Sequence, residues 1–426
     1  MKEIRPCSDI DATIPVPGSK SITHRAFVIA ALALGQSKIK NALLCEDTIY
    51  TLNGLKALGV DIEEKEDAVI ISGVNGRPVP REPEAEIFLG NSGTSLRLLT
   101  SVAALAKKAV RLTGDIRLQQ RPMEDLLQVL KESGVKLEFE GEQWHAPLMI
   151  RGPLRGGRIL IPGDRSSQFI SSLLVVSPCI PYGMEIVVQN VPVSVPYIRL
   201  TLDVMRAFGM NYRALENYRF FRISPQPYRG CTYTVEGDVS SAAYFWAAAA
   251  VTGGTVKTTN INPDSNQGDM AFLNLLEKMG CYINREHGMV TVKGAPLSSI
   301  EIDMMDMPDQ VPTLAVVAMF AKGKTVIANV PHLRDKESDR LSATREEIEK
   351  IGGKITEQED GLVIEGIEGG RHNMHGAEID PHNDHRIAMS MAVAGLKIPG
   401  IKIKNEGCVA KSLPDFWRLW ESLYND

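Results

Sequence analysis

Lysine and arginine side chains recur beside short loops of small polar residues in this sequence. Lys20 and Arg25 lie in the segment Pro17–Arg25, directly before an alanine-rich apolar run. A helix that begins there has backbone N–H groups without intrahelical partners and a dipole that favours anions. Further cations in comparable positions are Arg97, Arg121, Lys336, Arg340, Arg386 and Lys411. If these side chains converge, they can bind one or two small phosphorylated or carboxylated compounds.

Three acids, Asp309, Glu337 and Asp384, are interspersed among the cations of the C-terminal half. An acid between lysine and arginine commonly forms a structural ion pair. A buried acid beside a substrate can also serve as a general acid or base. Both interpretations of these acids stay open at the level of the sequence.

The loop Asn91–Ser95 consists of small residues that allow backbone donors to approach an anion. It lacks the Gly-x-x-x-x-Gly-Lys-Ser/Thr pattern, so an ATP-binding loop is not predicted. Four histidines also lie close together in the sequence: His372, His375, His382 and His385. They lack the spacing of a metalloprotease helix, and we predict neither a metal site nor a cofactor.

Composition limits the classes of function. The chain has 426 residues, more than one hydrophobic core usually serves, so two domains are expected. A net charge of −5 argues against nucleic-acid or membrane partners and favours small-molecule substrates. Six scattered cysteines indicate reduced thiols in a cytoplasmic protein. The longest apolar stretch, Ala242–Val251, is too short to span a bilayer.

Two features repeat along the chain and predict the elements that position these residues. The first is a helix that ends at a glycine and is followed by two strands, with a period of about 70–75 residues. Its marker glycines are Gly59, Gly134, Gly209, Gly280 and Gly352. The second is a group of capping residues before an apolar helix. These starts are at Gly18–Ser21, Gly90–Ser95, Asp164–Ser167, Asp238–Ser241, Pro308–Pro312 and Asn383–Arg386.

The repeats predict an α/β protein of six strand–helix–strand–helix–strand–strand units, three to a domain, around buried helices. We place a discontinuous domain at residues 1–18 plus 238–426 and a continuous domain at residues 19–237. The sixth unit lacks its closing strands, and Lys2–Pro6 could supply one of them. Two short crossovers between the domains would permit hinge closure on a ligand.

The residues just described resemble, in order and over essentially the full length, the EPSP synthase family (3-phosphoshikimate 1-carboxyvinyltransferases). The matching blocks are Pro17–Arg25, Leu89–Thr94, Arg121–Pro122, Ser166–Phe169, Gly237–Asp238, Ser240–Ser241, Lys336–Arg340, Asn383–Arg386 and Ala410–Lys411. The resemblance implies a monomer with a two-domain, inside-out α/β barrel-like fold and an active site in the interdomain cleft.

The resemblance also implies the reaction. The enolpyruvyl group of phosphoenolpyruvate passes to the 5-hydroxyl of shikimate 3-phosphate by addition and elimination, and phosphate is released. This step belongs to the shikimate pathway to chorismate and the aromatic amino acids. It requires positioned acid–base groups and strong anion binding, and no metal or redox cofactor.

Site residues follow from the matching positions. The shikimate 3-phosphate set is Lys20, Ser21, Arg25, Ser166, Ser167, Gln168, Ser194, Tyr197, Asp309, His332 and Lys336. The phosphoenolpyruvate set is Lys20, Asn91, Gly93, Arg121, Gln168, Arg340, Arg386 and Lys411. Asp309 would be the base toward the 5-hydroxyl, and Glu337 would exchange protons with the methylene group. Lys20 and Lys411 are the other proton-transfer candidates.

This chain departs from the family pattern at several positions. Leu98 stands where many members have proline, and His332 stands where some have asparagine. The loop Asn91–Ser95 has serine where many relatives have alanine. The response to glyphosate, which competes for the phosphoenolpyruvate site, therefore stays open. Gly93 favours sensitivity, and Leu98 could shift the helix that presents it.

Two alternatives share the scaffold. The enolpyruvyl transferase of UDP-N-acetylglucosamine typically has Lys-Asn where this chain has Lys20-Ser21, and a Cys or Asp on the loop near Arg121. A non-catalytic protein that binds phosphorylated metabolites would keep the cations and lose Asp309 or Glu337. Both acids are present.

Overall fold

The computed structural model describes residues 1–366 and 374–424. The chain forms two compact units. The terminal unit comprises Met1–Pro17 and Glu236–Asp426, and the central unit comprises Gly18–Val235. The predicted continuous domain, residues 19–237, begins one residue after the central unit begins and ends two residues after it ends. Within the described residues, no helix has both the length and the apolar character needed to cross a membrane.

The elements are numbered in chain order. Two strands come first: β1 Lys2–Glu3 and β2 Asp11–Pro15. The first repeat of the central unit follows: α1 Lys20–Leu32, β3 Leu34–Lys40, α2 Glu46–Ala57, β4 Asp61–Glu64 and β5 Ala68–Val74. The second repeat is β6 Glu84–Phe88, α3 Gly93–Ala103, β7 Ala109–Thr113, α4 Ile116–Gln119, α5 Glu124–Glu132, β8 Lys136–Phe139 and β9 Leu148–Arg151. The third is β10 Gly157–Ile161, α6 Ser167–Val176, β11 Met184–Val188, α7 Val195–Ala207, β12 Arg213–Ala214, β13 Phe220–Ile223 and β14 Thr232–Thr234.

The terminal unit continues the numbering. Its first repeat is α8 Val239–Thr252, β15 Thr255–Thr259, α9 Ala271–Met279, β16 Tyr282–Glu286 and β17 Met289–Lys293. Its second is β18 Glu301–Asp303, α10 Val311–Met319, β19 Lys324–Ala328, α11 Arg340–Lys350, β20 Lys354–Glu357 and β21 Leu362–Glu365. Its third is β22 Glu378–Ile379, α12 His385–Gly395, β23 Lys402–Ile403 and α13 Phe416–Glu421. Short 3₁₀ helices lie at Ser177–Cys179, Gly268–Met270, Pro308–Gln310, Pro331–Asp335 and Glu406–Lys411.

Each repeat forms a small sheet whose first two strands are parallel. In the central unit the sheets are β14-β3-β5-β4, β6-β7-β9-β8 and β10-β11-β13-β12. In the terminal unit they are β2-β15-β17-β16, β18-β19-β21-β20 and, with three strands, β22-β23-β1. Parallel neighbours need a crossover, and one buried helix supplies it wherever the two strands are consecutive. The expected α/β repeats are confirmed.

Strand β2 precedes α1 in sequence, but it does not pair with β3, the strand that follows α1. Instead β2 pairs in parallel with β15, with Asp11 opposite Thr255. The place beside β3 is taken by β14, with Thr232 opposite Lys38. The N-terminal strand β1 runs antiparallel to β23, which confirms that the segment Lys2–Pro6 supplies one of the closing strands of the sixth repeat.

All five marker glycines follow a helix with a positive φ, from 83° at Gly352 to 120° at Gly280. In each of these five repeats the amide after the glycine bonds back to a carbonyl in the last helical turn. These bonds are Val60 to Leu55, Val135 to Leu130, Met210 to Met205, Cys281 to Leu276 and Gly353 to Ile348, at 2.9–3.1 Å. This is the Schellman ending, in which only glycine adopts the left-handed conformation without strain.

Six helices, α1, α3, α6, α8, α10 and α12, are buried on nearly all sides, as their continuous apolar sequences predicted. They form one hydrophobic cluster in each unit. Their N-terminal turns carry the polar residues that the sequence analysis singled out.

Candidate active site

In the central unit, Arg25 is the centre of a buried polar network that connects α1 with α6 and α7. Its side chain is 2% exposed. Nε donates to Thr201 Oγ1 at 2.7 Å, and Nη2 donates to the carbonyl of Tyr197 at 3.1 Å. Nη1 donates to the carbonyl of Ser21 at 2.8 Å. Burial lowers the pKa of Arg25 to about 10, so it stays charged at neutral pH. The network fixes Arg25 beside the predicted ligands Ser21 and Tyr197.

Lys20 begins α1 and forms an ion pair with Asp47, with Nζ 3.1 Å from Oδ2. Asp47 is 2% exposed and lies in the first turn of α2. Its carbonyl accepts a 3.0 Å hydrogen bond from Ser95 Oγ, which in turn lies 2.8 Å from Thr51 Oγ1. The partly buried ammonium of Lys20 is therefore held against the starts of α2 and α3.

Gln168 joins the starts of α3 and α6. Its Oε1 accepts from Arg97 Nη1 at 2.6 Å, and its Nε2 donates to Thr94 Oγ1 at 3.1 Å. Ser166 caps α6 and accepts from the Gln168 amide at 3.3 Å. Ser167, 4% exposed, follows in the same turn. The structure therefore brings together Gln168 and the loop that contains Asn91 and Gly93.

Arg121 packs directly against Gly93. A Cβ built on Gly93 would lie 2.5 Å from both Cζ and Nη1 of Arg121, far inside van der Waals contact. Arg121 is 4% exposed, which leaves its guanidinium little room to retreat. Glycine is required here because the guanidinium lies over the first residue of α3.

Ser194 occupies the N-cap position of α7 in the left-handed conformation, with φ 54° and ψ 43°. Pro196 follows within the first turn and fixes the helix start. Tyr197 in that turn receives the Arg25 guanidinium 5.9 Å from its ring centroid. The predicted residues Ser194, Tyr197 and Arg25 thus belong to one neighbourhood of the central unit.

In the terminal unit, Asp309 accepts hydrogen bonds from two arginines. Arg340 Nη1 donates to Oδ1 at 2.8 Å, and Arg386 Nη2 donates to Oδ2 at 2.6 Å. Burial would raise the pKa of Asp309, but Arg386, Arg340 and Lys336 outweigh burial and hold it far below its ordinary value. Asp309 is therefore an ionised carboxylate at neutral pH.

Arg340 connects three acids. Besides Asp309, it donates from Nη2 to Glu337 at 2.7 Å and from Nε to Asp384 at 2.7 Å. Burial would lower the pKa of Arg340, but Asp384, Glu337 and Asp309 together raise it. Asp384 also caps α12 by accepting the Arg386 amide at 2.9 Å. One residue thus fixes both the start of α12 and the Arg340 side chain.

Three further predicted residues lie in the same unit. Lys336 follows the 3₁₀ helix Pro331–Asp335, and Lys411, 6% exposed, ends the 3₁₀ helix Glu406–Lys411. His332 is 8% exposed, and neither ring nitrogen has a hydrogen-bond partner among the described residues. Burial, followed by the charge of Lys336, lowers the pKa of His332 to about 4, so its imidazole is neutral.

The structure adds residues that the sequence analysis did not single out. Tyr244, within α8, accepts from Arg386 Nη1 at 3.2 Å, and burial raises its pKa to about 12. Asp269, 2% exposed, accepts from Gln310 Nε2 at 2.9 Å. Burial raises the pKa of Asp269 despite the nearby charge of Arg386. Tyr244 lies within an apolar run, and no signal in the sequence distinguishes it from a core residue.

The histidine cluster is only partly described, because His372 lies outside the described residues. His382 lies 3.2 Å from Glu347 Oε1, and His375 lies 3.2 Å from the Gly376 carbonyl. His385 begins α12. Throughout residues 1–366 and 374–424, no group of three His, Cys, Asp or Glu side chains could hold a metal ion.

Comparison with known proteins identifies the family. Residues 4–420 match the family model of EPSP synthase (3-phosphoshikimate 1-carboxyvinyltransferase). The chain belongs to the EPSP synthase family. Two relatives named 3-phosphoshikimate 1-carboxyvinyltransferase come from Syntrophobacter fumaroxidans and Methanoculleus marisnigri. They are 44% and 43% identical and cover 99% and 98% of this chain, which spans 99% and 97% of theirs.

A solved structure of EPSP synthase from Acinetobacter baumannii superposes with a TM-score of 0.81 at 30% identity, covering 98% of this chain and 97% of that chain. The family and fold predicted from the sequence are therefore confirmed. These matches favour the 3-phosphoshikimate enzymes over the alternative that acts on UDP-N-acetylglucosamine.

Proposed function

We propose that this chain transfers the enolpyruvyl group of phosphoenolpyruvate to the 5-hydroxyl of shikimate 3-phosphate and releases phosphate. Besides family membership, the observation that supports this most is the cluster around Arg340. Arg340 donates hydrogen bonds to the two acids Asp309 and Glu337. A second buried arginine, Arg386, also donates to Asp309. The reaction needs anion-binding cations and acid–base groups side by side.

The chemistry has two steps. A proton added to the methylene carbon of phosphoenolpyruvate makes the neighbouring carbon electrophilic, and the hydroxyl oxygen adds to that carbon while losing its proton. The resulting tetrahedral intermediate then loses a methyl proton and eliminates phosphate. We assign the hydroxyl proton to Asp309 and the methylene proton to Glu337, with Lys20 and Lys411 as further proton-transfer groups.

The charges around Asp309 suggest how it becomes a base. In the free protein, Arg386, Arg340 and Lys336 make its carboxylate weakly basic. Anionic substrates that bind these cations would partly neutralise them, and the pKa of Asp309 would rise toward its ordinary value. The carboxylate therefore gains basicity as the substrates bind.

For shikimate 3-phosphate, we propose the central-unit ligands Lys20, Ser21, Arg25, Ser166, Ser167, Gln168, Ser194 and Tyr197. The terminal unit would contribute Asp309, His332 and Lys336. For phosphoenolpyruvate, we propose Lys20, Asn91, Gly93, Arg121 and Gln168, with Arg340, Arg386 and Lys411. The hydrogen bonds between Gln168 and Arg97 and between Arg340 and Asp384 support this assignment, because they hold these groups rigidly.

The test is phosphate release from phosphoenolpyruvate with shikimate 3-phosphate and, separately, with UDP-N-acetylglucosamine. We expect turnover with shikimate 3-phosphate alone. Turnover with the UDP-sugar alone would contradict the proposal, and ligand binding without any turnover would favour the non-catalytic alternative.

The proposal also includes a monomeric, cytoplasmic enzyme whose two domains correspond to the two compact units. Sedimentation equilibrium should give the mass of one chain, 46.7 kDa. A mass that stays twice this value upon dilution would exclude the monomer.

A further inference from the structure

The third sheet of the central unit carries a row of charged residues across its outer face. Arg158, Glu185, Arg222 and Arg213 lie opposite one another on the four neighbouring strands β10, β11, β13 and β12. Their neighbours along the strands, such as Ile159 and Phe221, point into the core. The row therefore gathers three positive charges and one negative charge on one exposed surface.

In each of the other two sheets of this unit, a cation on the second strand is paired with acids. Lys38 on β3 forms a 2.8 Å ion pair with Asp67. Arg111 on β7 contacts Glu86 at 3.0 Å and Glu140 at 2.6 Å. The row of Arg158, Glu185, Arg222 and Arg213, in contrast, has one acid for three cations.

Glu185 does not compensate this excess. It lies 3.4 Å from Arg222 Nε, and no ion pair or hydrogen bond joins the Arg213 side chain to any residue that the structure describes. Arg213 and Arg222 are direct cross-strand neighbours. Like charges in that position repel each other, and a bound anion would reduce this repulsion.

A cleft of about 540 Å³ opens beside these two arginines and is lined by both of them, with Tyr212 and Ser224 on its walls. This volume is within the range of small-molecule sites, about 300–1,000 Å³. The Gln226 side chain fixes one wall, because Nε2 donates to the Asn211 carbonyl at 2.6 Å and Oε1 accepts from the Asn211 amide at 3.3 Å. This wall of the cleft is therefore held by two hydrogen bonds.

The cleft is distant from the proposed active-site residues of the same sheet. The residues Ser166–Gln168 and Ser194 follow the carboxyl ends of the parallel strands β10 and β11. Arg158 and Glu185 are the second residues of these strands, so the row lies near their amino ends. The cleft is thus separate from the reaction chemistry.

We propose that this cleft is a second anion site, for a small molecule that bears a phosphate group. The row has a surplus of two positive charges, and a phosphate ester carries about −1.5 to −2 at pH 7. Two adjacent guanidinium groups offer bidentate donors that match phosphate oxygens, and Ser224 and Tyr212 also line the cleft.

The test is calorimetric titration with inorganic pyrophosphate of wild type, Arg213→Gln/Arg222→Gln and Arg386→Gln. We expect the double variant to lose one binding event, or to weaken it at least tenfold, and Arg386→Gln to retain that event. Arg158→Gln is the matched control, because Arg158 belongs to the row but does not line the cleft. If the double variant binds pyrophosphate as wild type does, or if all binding disappears with Arg386→Gln, the proposal is wrong.

A variant that should strengthen pyrophosphate binding distinguishes a loss of the site from unfolding of the double variant. Glu185→Gln removes the one acid of the row and should strengthen the same binding event several-fold. Unchanged or weaker binding would contradict the proposal. The double variant should keep wild-type turnover with phosphoenolpyruvate and shikimate 3-phosphate, and a loss of turnover would show that the cleft is not separate from the active site.

Discussion

Arg386 donates a 2.6 Å hydrogen bond to Asp309 across a sequence separation of 77 residues. The pair joins the start of α12 to the 3₁₀ turn before α10, so two repeats of the terminal unit present their polar ends together. A cation that would bind substrate and an acid that would act on it are therefore mutually positioned. A substitution of either residue should therefore alter the position or the charge of the other.

Asp309→Asn should greatly reduce turnover and retain binding of shikimate 3-phosphate. Asparagine keeps the size of the side chain and loses the base, and general base catalysis contributes about 10²–10⁴-fold to rate. We expect kcat to fall by that factor, measured by phosphate release, with binding followed by calorimetry. Asp264→Asn, at an exposed acid, is the control. A kcat near wild type would exclude Asp309 as the base.

Gly93→Ala should raise KM for phosphoenolpyruvate and leave the affinity for shikimate 3-phosphate nearly unchanged. The new Cβ would lie 2.5 Å from Arg121 Cζ and would displace its guanidinium. Loss of one charge-assisted contact of about 1.5–3 kcal/mol corresponds to roughly 10- to 100-fold in KM. Gly141→Ala is the matched control, because nothing lies within 4 Å of a Cβ there. An unchanged KM would show that Arg121 does not contact phosphoenolpyruvate.

Tyr244→Phe should weaken phosphoenolpyruvate binding through Arg386. The tyrosine hydroxyl accepts the 3.2 Å bond from Arg386 Nη1, and phenylalanine removes that acceptor without changing the ring. Tyr244 is a positioning residue, so KM should rise about tenfold while kcat changes less. Tyr228→Phe is the control, because it loses a buried hydroxyl bonded at 2.9 Å to the Val175 carbonyl, in the other unit. Equal effects of both variants on KM would contradict the role of Tyr244.

Gly209→Ala should destabilise the fold through its backbone alone. Gly209 has φ 84°, and the nearest atom to an added Cβ, Arg229 Cδ, is 3.8 Å away, so space is not the constraint. The left-handed conformation costs an alanine about 1–2 kcal/mol. Urea unfolding should show that loss, and Gly407→Ala, with neither a positive φ nor a close neighbour, should show less than half of it. Equal losses would mean that the Schellman ending does not require glycine.

The sequence was sufficient to predict the repeat, but it was not sufficient to predict the contacts between side chains. Gly59 and its equivalents marked each helix end because the Schellman geometry is a local property of the backbone. The helix starts at Lys20 and Asp384 were predictable for the same reason. The pairs Lys20–Asp47 and Arg386–Tyr244 were not, because they depend on how separate helices pack, and their partners have no distinctive pattern. The resemblance supplied site residues that spacing alone left open.

The neutral state of His332 should make stability depend on pH. Burial, with Lys336 adding to it, lowers the pKa of His332 to about 4, below the ordinary value of 6.5. Between these values the unfolded chain binds a proton that the folded chain rejects, so stability falls as pH decreases below 6.5. From pH 7 to pH 5 this group should cost about 2 kcal/mol, at about 1.4 kcal/mol per pH unit below 6.5.

Urea unfolding of wild type and His332→Asn at pH 7 and pH 5 tests this. The variant should lose about 2 kcal/mol less than wild type between the two pH values, because asparagine does not titrate. His287→Asn, at an exposed histidine, should keep the wild-type dependence. If wild type and His332→Asn lose the same free energy, His332 is not held neutral in the folded protein.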